Sequence, residues 1–465
     1  MFKKHPKGLY VLFFTEMWER FSYYGNRAIL SLFMIKALLY GNSLTSSIYG
    51  YYTGLVYLTP LLGGYIADRY WGNRRSIIVG GILMAIGQFS LAFSGQIYAA
   101  KGGFGVIFFI VGLTFLIIGN GFFKPNISTM VGSLYPDEEI HKRDSAFTIF
   151  YMGINLGAFL APLICGGLGD TGNPADFKWG FLSAGIGMII GVITFYLGKD
   201  KNLVTPDGKP VGMVPTKKNK NHPDYIKDAP LTKIEKERIA VIFIISFFVI
   251  FFWAAYEQAG VSLTFFAESQ TNRVVGWLGN YLVPASFFQS VNPIIIFIFA
   301  PLFAWLWTKL GEKNREPSSP LKMSIGLMVL ALGYVVMVIG GGIAQTGIKV
   351  SPMWLILAYS FHTFGELCLS PIGLSVVTKL SPARFMSMLM GVWFLANAAA
   401  DWLAGQLSTL YPINIDGTTT VHYLFGYAVK DLPSFFWIFV VMAALSSIIL
   451  FLLYKKLLKM MNGVA

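Results

Sequence analysis

Residues 9–36 read LYVLFFTEMWERFSYYGNRAILSLFMIK, an apolar stretch of membrane-spanning length that carries Glu16, Glu19, Arg20 and Arg27. A bilayer core of about 30 Å needs roughly 20 apolar residues per helix. The stretch therefore reads as a first membrane helix. Charges at membrane depth are costly and normally face a bundle interior or a wet cavity. Glu16 and Arg20 stand at i,i+4 in the favoured order, with Glu19 one position off that line. Arg20, Tyr23, Tyr24 and Arg27 fall at i, i+3, i+4 and i+7 and share one helical face. A structural pin would need only Glu16 and Arg20. Three further charges interrupt other apolar spans, namely Lys124, Glu257 and Glu366. Seven buried charges exceed what a static fold requires, and they point to transport chemistry.

The rest of the chain agrees. Its 465 residues are 55% hydrophobic and 13% charged, whereas an average soluble domain carries about 25% charge. So few polar groups cannot coat a water-soluble surface of this length, and the solvent must be largely lipid. About twelve apolar spans follow, at 9–36, 46–68, 76–98, 105–131, 145–168, 178–198, 239–266, 284–308, 322–342, 352–378, 385–409 and 433–457. The polar stretch 199–238 holds ten Lys/Arg and the turn formers Pro206, Asp207, Gly208, Pro210, Pro215 and Pro230. It reads as a cytoplasmic linker between a six-helix bundle at 1–198 and a second at 239–465. Two six-helix bundles related as parallel repeats describe the major facilitator fold, an all-α membrane architecture.

Basic residues set the orientation. Segments that share a side with the N-terminus carry 27 of the 36 Lys/Arg, and the opposite side carries six. The positive-inside rule then places both termini and the linker in the cytoplasm. The net charge of +13 is confined to these short loops, so no nucleic-acid partner is expected. Cys165 and Cys368 both lie in apolar segments, which argues against a disulfide framework, and no C-x-x-C spacing suggests a metal. The first apolar stretch is long and interrupted by charge, unlike a cleavable signal peptide.

Other features take lesser roles. Gly119, Gly121 and Pro125 bracket Lys124, and Pro371 and Gly373 follow Glu366. Such breaks occur where backbone lines a cavity, and also where helices simply pack closely. Asp68 and Arg69, in the stretch 63–75 that ends the second span, read as a conformational latch rather than a substrate site. The run His362 to Glu366 lacks the second His of H-E-x-x-H and has the wrong order, and no Ser/His/Asp set is recognisable. An intramembrane enzyme is thereby disfavoured.

Five motifs carry a family resemblance. They are Glu16-Met17-Trp18-Glu19-Arg20-Phe21-Ser22-Tyr23-Tyr24-Gly25, Gly121-Phe122-Phe123-Lys124-Pro125-Asn126, Phe150-Tyr151-Met152-Gly153-Ile154-Asn155, Phe288-Gln289-Ser290-Val291-Asn292-Pro293 and Gly365-Glu366-Leu367-Cys368-Leu369-Ser370-Pro371. Together they resemble the proton-coupled oligopeptide transporter family of the major facilitator superfamily. The resemblance covers nearly the whole chain. It implies a proton-driven symporter of di- and tripeptides in the cell membrane, with the proton as coupling ion and no other cofactor, acting as a monomer within the lipid bilayer.

The resemblance also implies roles. Glu16, Glu19 and Arg20 correspond to the proton-coupling cluster, exchanging ion pairs with Lys124. Arg27 and Glu257 correspond to an extracellular-gate pair, with Glu257 a protonation site. Glu366 corresponds to the carboxylate that receives a peptide's α-ammonium, and Arg27 and Lys124 to the cations that hold its carboxylate. Tyr23, Tyr24, Tyr57, Asn155 and Asn292 correspond to polar contacts to the peptide backbone, and Trp393 to a pocket wall. Two departures stand out. Many bacterial relatives insert two helices between the halves, for which 199–238 is too short and polar. Animal relatives carry a protonatable His where this chain has Gly50, which leaves proton work to carboxylates. Related plant proteins move nitrate and hormones, so a different small anion or an amino-acid conjugate is the alternative cargo.

Overall fold

The computed structural model describes residues 5–97, 103–135, 140–205, 207–214, 230–382, 385–415 and 418–463. The middle of the polar linker with Pro215, and Pro206 before it, lie outside the described residues. Among the described residues thirteen α-helices run in order: α1 (Lys7–Lys36), α2 (Asn42–Ile66), α3 (Gly72–Ile97), α4 (Phe104–Ser133), α5 (Ile140–Gly169), α6 (Phe177–Asn202), α7 (Lys233–Tyr256), α8 (Ser262–Gln270), α9 (Val291–Glu312), α10 (Ser319–Ala344), α11 (Met353–Leu380), α12 (Met386–Ser408) and α13 (Leu432–Met460). The seventh expected span is divided, since a 3₁₀ turn over Glu257–Gly260 separates α7 from α8. Counting α7 and α8 as one broken span, the elements supply the twelve expected.

The ends of these helices follow local chemistry. Thr232 and Glu235 form a reciprocal capping box at the start of α7, and Asp431 with Ser434 does the same for α13. Pro60, Pro125, Pro162 and Pro301 sit inside helices. Membrane helices tolerate this because neighbouring groups satisfy the freed carbonyls. Leu197, Phe247 and Leu452 stand exposed on the outer faces, as expected where lipid is the solvent.

By packing, the chain divides into two compact units. The first comprises Met1–Tyr40, Leu55–Asn219 and Pro284–Pro293; the second comprises Gly41–Gly54, Lys220–Val283 and Ile294–Ala465. In the first unit, backbones meet through glycine. A Cβ on Gly119 would lie 2.6 Å from the Gly80 carbonyl oxygen, and one on Gly87 would lie 2.8 Å from that of Gly112. Only hydrogen side chains allow α3 and α4 so close. At the end of α5, Asp170 accepts from Lys36 Nζ at 2.8 Å and from the Ala285 amide at 3.0 Å. It thereby joins α1, α5 and the 3₁₀ turn Ala285–Ser290 that leads into α9.

The linker does not leave the first unit at once. Val204 pairs with Pro210 in a short hairpin, and Arg74 holds it. Arg74 Nε donates to the Val211 carbonyl at 2.6 Å, one terminal nitrogen to the Leu203 carbonyl at 2.7 Å, and the other to Asp200 at 2.9 Å. A π-helical turn over Ala67–Trp71 ends at Gly72, whose φ is 72°, and a Cβ there would lie 2.6 Å from the Met213 carbonyl carbon. Glycine meets both demands, the left-handed backbone and the close approach.

In the second unit, α10 packs on α11 and α13, and α7 on α12. Tyr334 is its fully buried centre, with its ring 4.8 Å from Phe439 and its hydroxyl donating to the Ala255 carbonyl at 2.6 Å. The first half of α2 belongs to this unit. A Cβ on Gly50 would lie 2.7 Å from the Gly405 Cα, and the hydroxyls of Ser46 and Ser408 are 3.2 Å apart.

Candidate functional site

Four charges of α1 are withdrawn from the surface, and three of them form one cluster. Glu16, Glu19, Arg20 and Arg27 are all buried, and Glu19 has no exposed surface at all. Arg20 serves both glutamates. Its Nε pairs closely with Glu19 Oε2, a terminal nitrogen donates to Glu19 Oε1 at 2.8 Å, and Nε stands 3.2 Å from Glu16 Oε1. The i,i+4 spacing expected from the sequence is therefore realised, and the adjacent Glu19 joins it. Gly157 of α5 packs on the backbone of Met17 and Phe21, which fixes α1 beside the cluster.

Aromatic rings surround the cations. The Arg20 guanidinium lies 5.2 Å from the Tyr23 ring centre and that of Arg27 lies 5.9 Å from Tyr24. Lys124, half-buried on α4, has its Nζ 4.0 Å over the Tyr57 ring. Ring faces stabilise a cation without neutralising it. Asn155, buried on α5, donates to the Tyr151 carbonyl of its own helix at 3.0 Å. Asn292 is half-buried at the start of α9. Glu16, Glu19, Arg20, Tyr23, Tyr24, Arg27, Tyr57, Lys124, Asn155 and Asn292 all lie in the first unit.

The second unit holds three further residues that the sequence suggested, Glu257, Glu366 and Trp393. Glu366 is buried on α11 and its Oε2 accepts from the Tyr256 hydroxyl at 2.7 Å. Glu257 is buried at the head of the 3₁₀ turn after α7. Trp393, also buried, lies against Gly373 of α11, where any Cβ would strike its ring. His362 is a packed residue: it is buried, its ring is 4.7 Å from that of Tyr334, and neither ring nitrogen has a hydrogen-bond partner among the described residues.

Asp68 and Arg69 are exposed at the end of α2, and Arg69 donates to the Tyr65 hydroxyl at 2.7 Å while facing the Tyr65 and Tyr70 rings. Two site neighbours escaped the sequence reading. Asn120, one turn before Lys124, donates to Glu19 Oε1 at 3.3 Å. Tyr256 adjoins Glu257 in sequence but serves Glu366, 110 residues away. The i,i+4 spacing of Asn120 and Lys124 was the one available signal.

Comparison with known proteins reaches the same region of sequence and fold. The profile described as the POT family matches residues 74–217 and 217–419. The chain is 38% identical to the uncharacterized transporter YclF of Bacillus subtilis strain 168, covering 88% of each. It is 33% identical to a di-/tripeptide transporter of Lactococcus lactis subsp. lactis, covering 99% of this chain and 97% of the relative. Its fold matches the crystal structure of a peptide transporter POT in complex with sulfate with a TM-score of 0.83, at 33% identity, over 100% of this chain and 97% of the other.

Proposed function

Because this chain belongs to the POT family of major facilitator transporters, we propose that it imports di- and tripeptides across the cell membrane, driven by protons. One observation carries the reading: Glu16, Glu19 and Arg20 form a buried ion-paired cluster on α1, in the same packing unit as Arg27 and Lys124. A peptide carboxylate brings one negative charge to this region and a proton taken up by one glutamate removes one, so the two together leave the buried charge unchanged, which burial in a poorly polarisable medium favours.

In this reading Arg27 and Lys124 receive the peptide carboxylate, and Glu366 receives the α-ammonium. Tyr23, Tyr24, Tyr57, Asn155 and Asn292 meet the peptide backbone, and Trp393 walls a side-chain pocket. Glu16, Glu19, Arg20 and Lys124 couple the proton, with Glu257 as a second protonation site. Arg27 with Glu257, and Asp68 with Arg69, serve as gate and latch. The protein acts as a monomer of two six-helix bundles, 1–198 and 239–465, joined by the 199–238 linker, with both termini in the cytoplasm. Each proton that follows the potential inward contributes about 2.3 kcal/mol per 100 mV.

The test is uptake of labelled dialanine into proteoliposomes with and without an inward proton gradient. Uptake that rises with the gradient and is competed by unlabelled dipeptides is expected. Gradient-independent uptake, or no competition by dipeptides, would sink the reading.

A further inference from the structure

We infer that α2 sets the place of the Lys124 ammonium by holding the interrupted turn of α4 beside it, with Thr59 and Gly63 as the positioning residues. The inference rests on the proposed role of Lys124 toward the peptide carboxylate and deepens it. Pro125 follows Lys124 and lies inside α4. Proline has no N–H for the carbonyl four residues back, and its ring crowds that carbonyl. The carbonyl so freed is that of Gly121, one turn before Pro125. A lysine beside such an interruption points wherever the surroundings hold the two parts of its helix.

The hold comes from α2. A Cβ on Gly63 would lie 2.0 Å from the Gly121 carbonyl oxygen, so the hydrogen in its place is aimed at the freed acceptor. Such Cα–H···O contacts are weak, but they recur where helices meet at backbone distance. A Cβ on the next residue, Gly64, would meet the Pro125 ring at 3.7 Å, an ordinary packing distance. One turn earlier, the Thr59 hydroxyl donates across to the Ile117 carbonyl of α4 at 2.9 Å. A helical threonine ordinarily turns its hydroxyl to its own helix four residues back. Thr53 of α2 does so, donating to the Tyr49 carbonyl at 2.9 Å. Thr59 reaches across instead, and a directed bond of this kind fixes how far α4 can slide along α2, which small residues alone do not. On the other side of the interruption, Asn126 donates to the Phe122 carbonyl at 2.7 Å and accepts from Asn73 at 3.0 Å. The Tyr57 ring, 4.0 Å from Lys124 Nζ, belongs to α2 as well. One helix thus fixes the lysine at its base, through the turn, and at its tip, through the ring.

The experiment joins a local reporter to a transport assay. In the full chain in lipid nanodiscs, 3-fluorotyrosine at position 57 reports the ammonium over its ring, and K124Q marks the resonance of the ring without it. T59V removes the donor and keeps the shape, so it should move the fluorine resonance toward the K124Q position. T59S keeps the donor and should leave the resonance in place. G63A forces a Cβ against the Gly121 carbonyl and should move it further than T59V; should G63A fail to fold, the Thr59 variants decide alone. In proteoliposomes, T59V should raise the half-maximal concentration of dialanine about tenfold, the equivalent of one hydrogen bond to a charged group, and change competition by dialanine amide by less than about twofold. The amide has no carboxylate, and a merely structural defect would weaken both ligands alike. The positioning is overturned if T59V leaves the resonance unmoved, if T59S moves it as far as T59V, or if T59V weakens dialanine and its amide equally. K124Q that weakens dialanine no more than the amide would instead overturn the assignment of Lys124 to the peptide carboxylate, and the resonance would then judge the positioning by itself.

Discussion

Gly50 offers a sharp test of the packing, because the resemblance implies a protonatable histidine at its position in animal relatives. In this chain the site has no room for one. A Cβ on Gly50 would lie 2.7 Å from the Gly405 Cα, 3.2 Å from its amide nitrogen and 3.1 Å from the Trp402 carbonyl oxygen. Comfortable carbon–carbon contact needs about 3.5–4.0 Å, so even alanine requires α2 and α12 to separate by about 1 Å. The obstacle is backbone, which cannot swing aside as a side-chain tip can. Overpacking of this kind costs about 1–3 kcal/mol. G50A should therefore unfold at a lower temperature in detergent, and G50H at a lower temperature still. The local reporter is the pair Ser46 and Ser408, whose hydroxyls are 3.2 Å apart. Cysteines at the two positions, S46C and S408C, should cross-link readily with Gly50 present and more slowly in G50A. If G50A unfolds at the unmutated temperature and cross-links at the unmutated rate, the argument from close backbone packing is wrong.

Two further outcomes follow from side chains that hold others in place. R74A removes the donor from the Leu203 and Val211 carbonyls, at about 1–3 kcal/mol for each buried acceptor left unpaired. Limited proteolysis should then cut within 203–214, and R74K should protect poorly because a single ammonium cannot serve the three directions of the guanidinium fork. Y256F removes the hydroxyl that donates to Glu366 Oε2 at 2.7 Å. A hydrogen bond to a charged group contributes about 1.5–3 kcal/mol. The dialanine concentration for half-maximal uptake should change by about tenfold or more, with a smaller effect on maximal rate; an unaltered half-saturation would remove Tyr256 from the ammonium site.

Much of this molecule was legible in the sequence, and the reasons are physical. A membrane demands continuous apolar runs, so hydropathy alone located the helices, and the expense of buried charge singled out α1, Lys124, Glu257 and Glu366. What could not be read were pairings between distant residues and departures from ideal helix. The contact of Asn120 with Glu19 spans 101 residues and that of Tyr256 with Glu366 spans 110. Neither leaves a local pattern. The 3₁₀ turn at Glu257 was hidden because its sequence, Glu-Gln-Ala-Gly, continues a plausible helix. Gly50 looked like a lost histidine, yet its meaning lay in Gly405. The linker misled by composition: it is polar overall, but Leu203 and Val211 are buried, and Arg74 converts its first part into a docked hairpin.

Glycines also fix the helix that carries the charge cluster. Gly157 sits on the backbone of Met17 and Phe21, Gly187 on the Phe21 ring and Gly25 on Cys165. These contacts clamp α1 at successive turns on both sides of Arg20. Gly63 likewise sits on the backbone at Gly121, directly beside Asn120. A bundle packed at backbone distance is stiff, and its members move together or hardly at all. On the proposed coupling, protonation of either α1 glutamate would redistribute the Arg20 guanidinium between two carboxylates without requiring α1 to slide, and that change of charge would act on the anion proposed to bind at Arg27 and Lys124. A variant that loosens the clamp, such as Gly157→Val, should therefore lower the gradient-driven share of dialanine uptake more than it lowers exchange in the absence of a gradient. Equal loss of both would mean that the glycines serve folding alone.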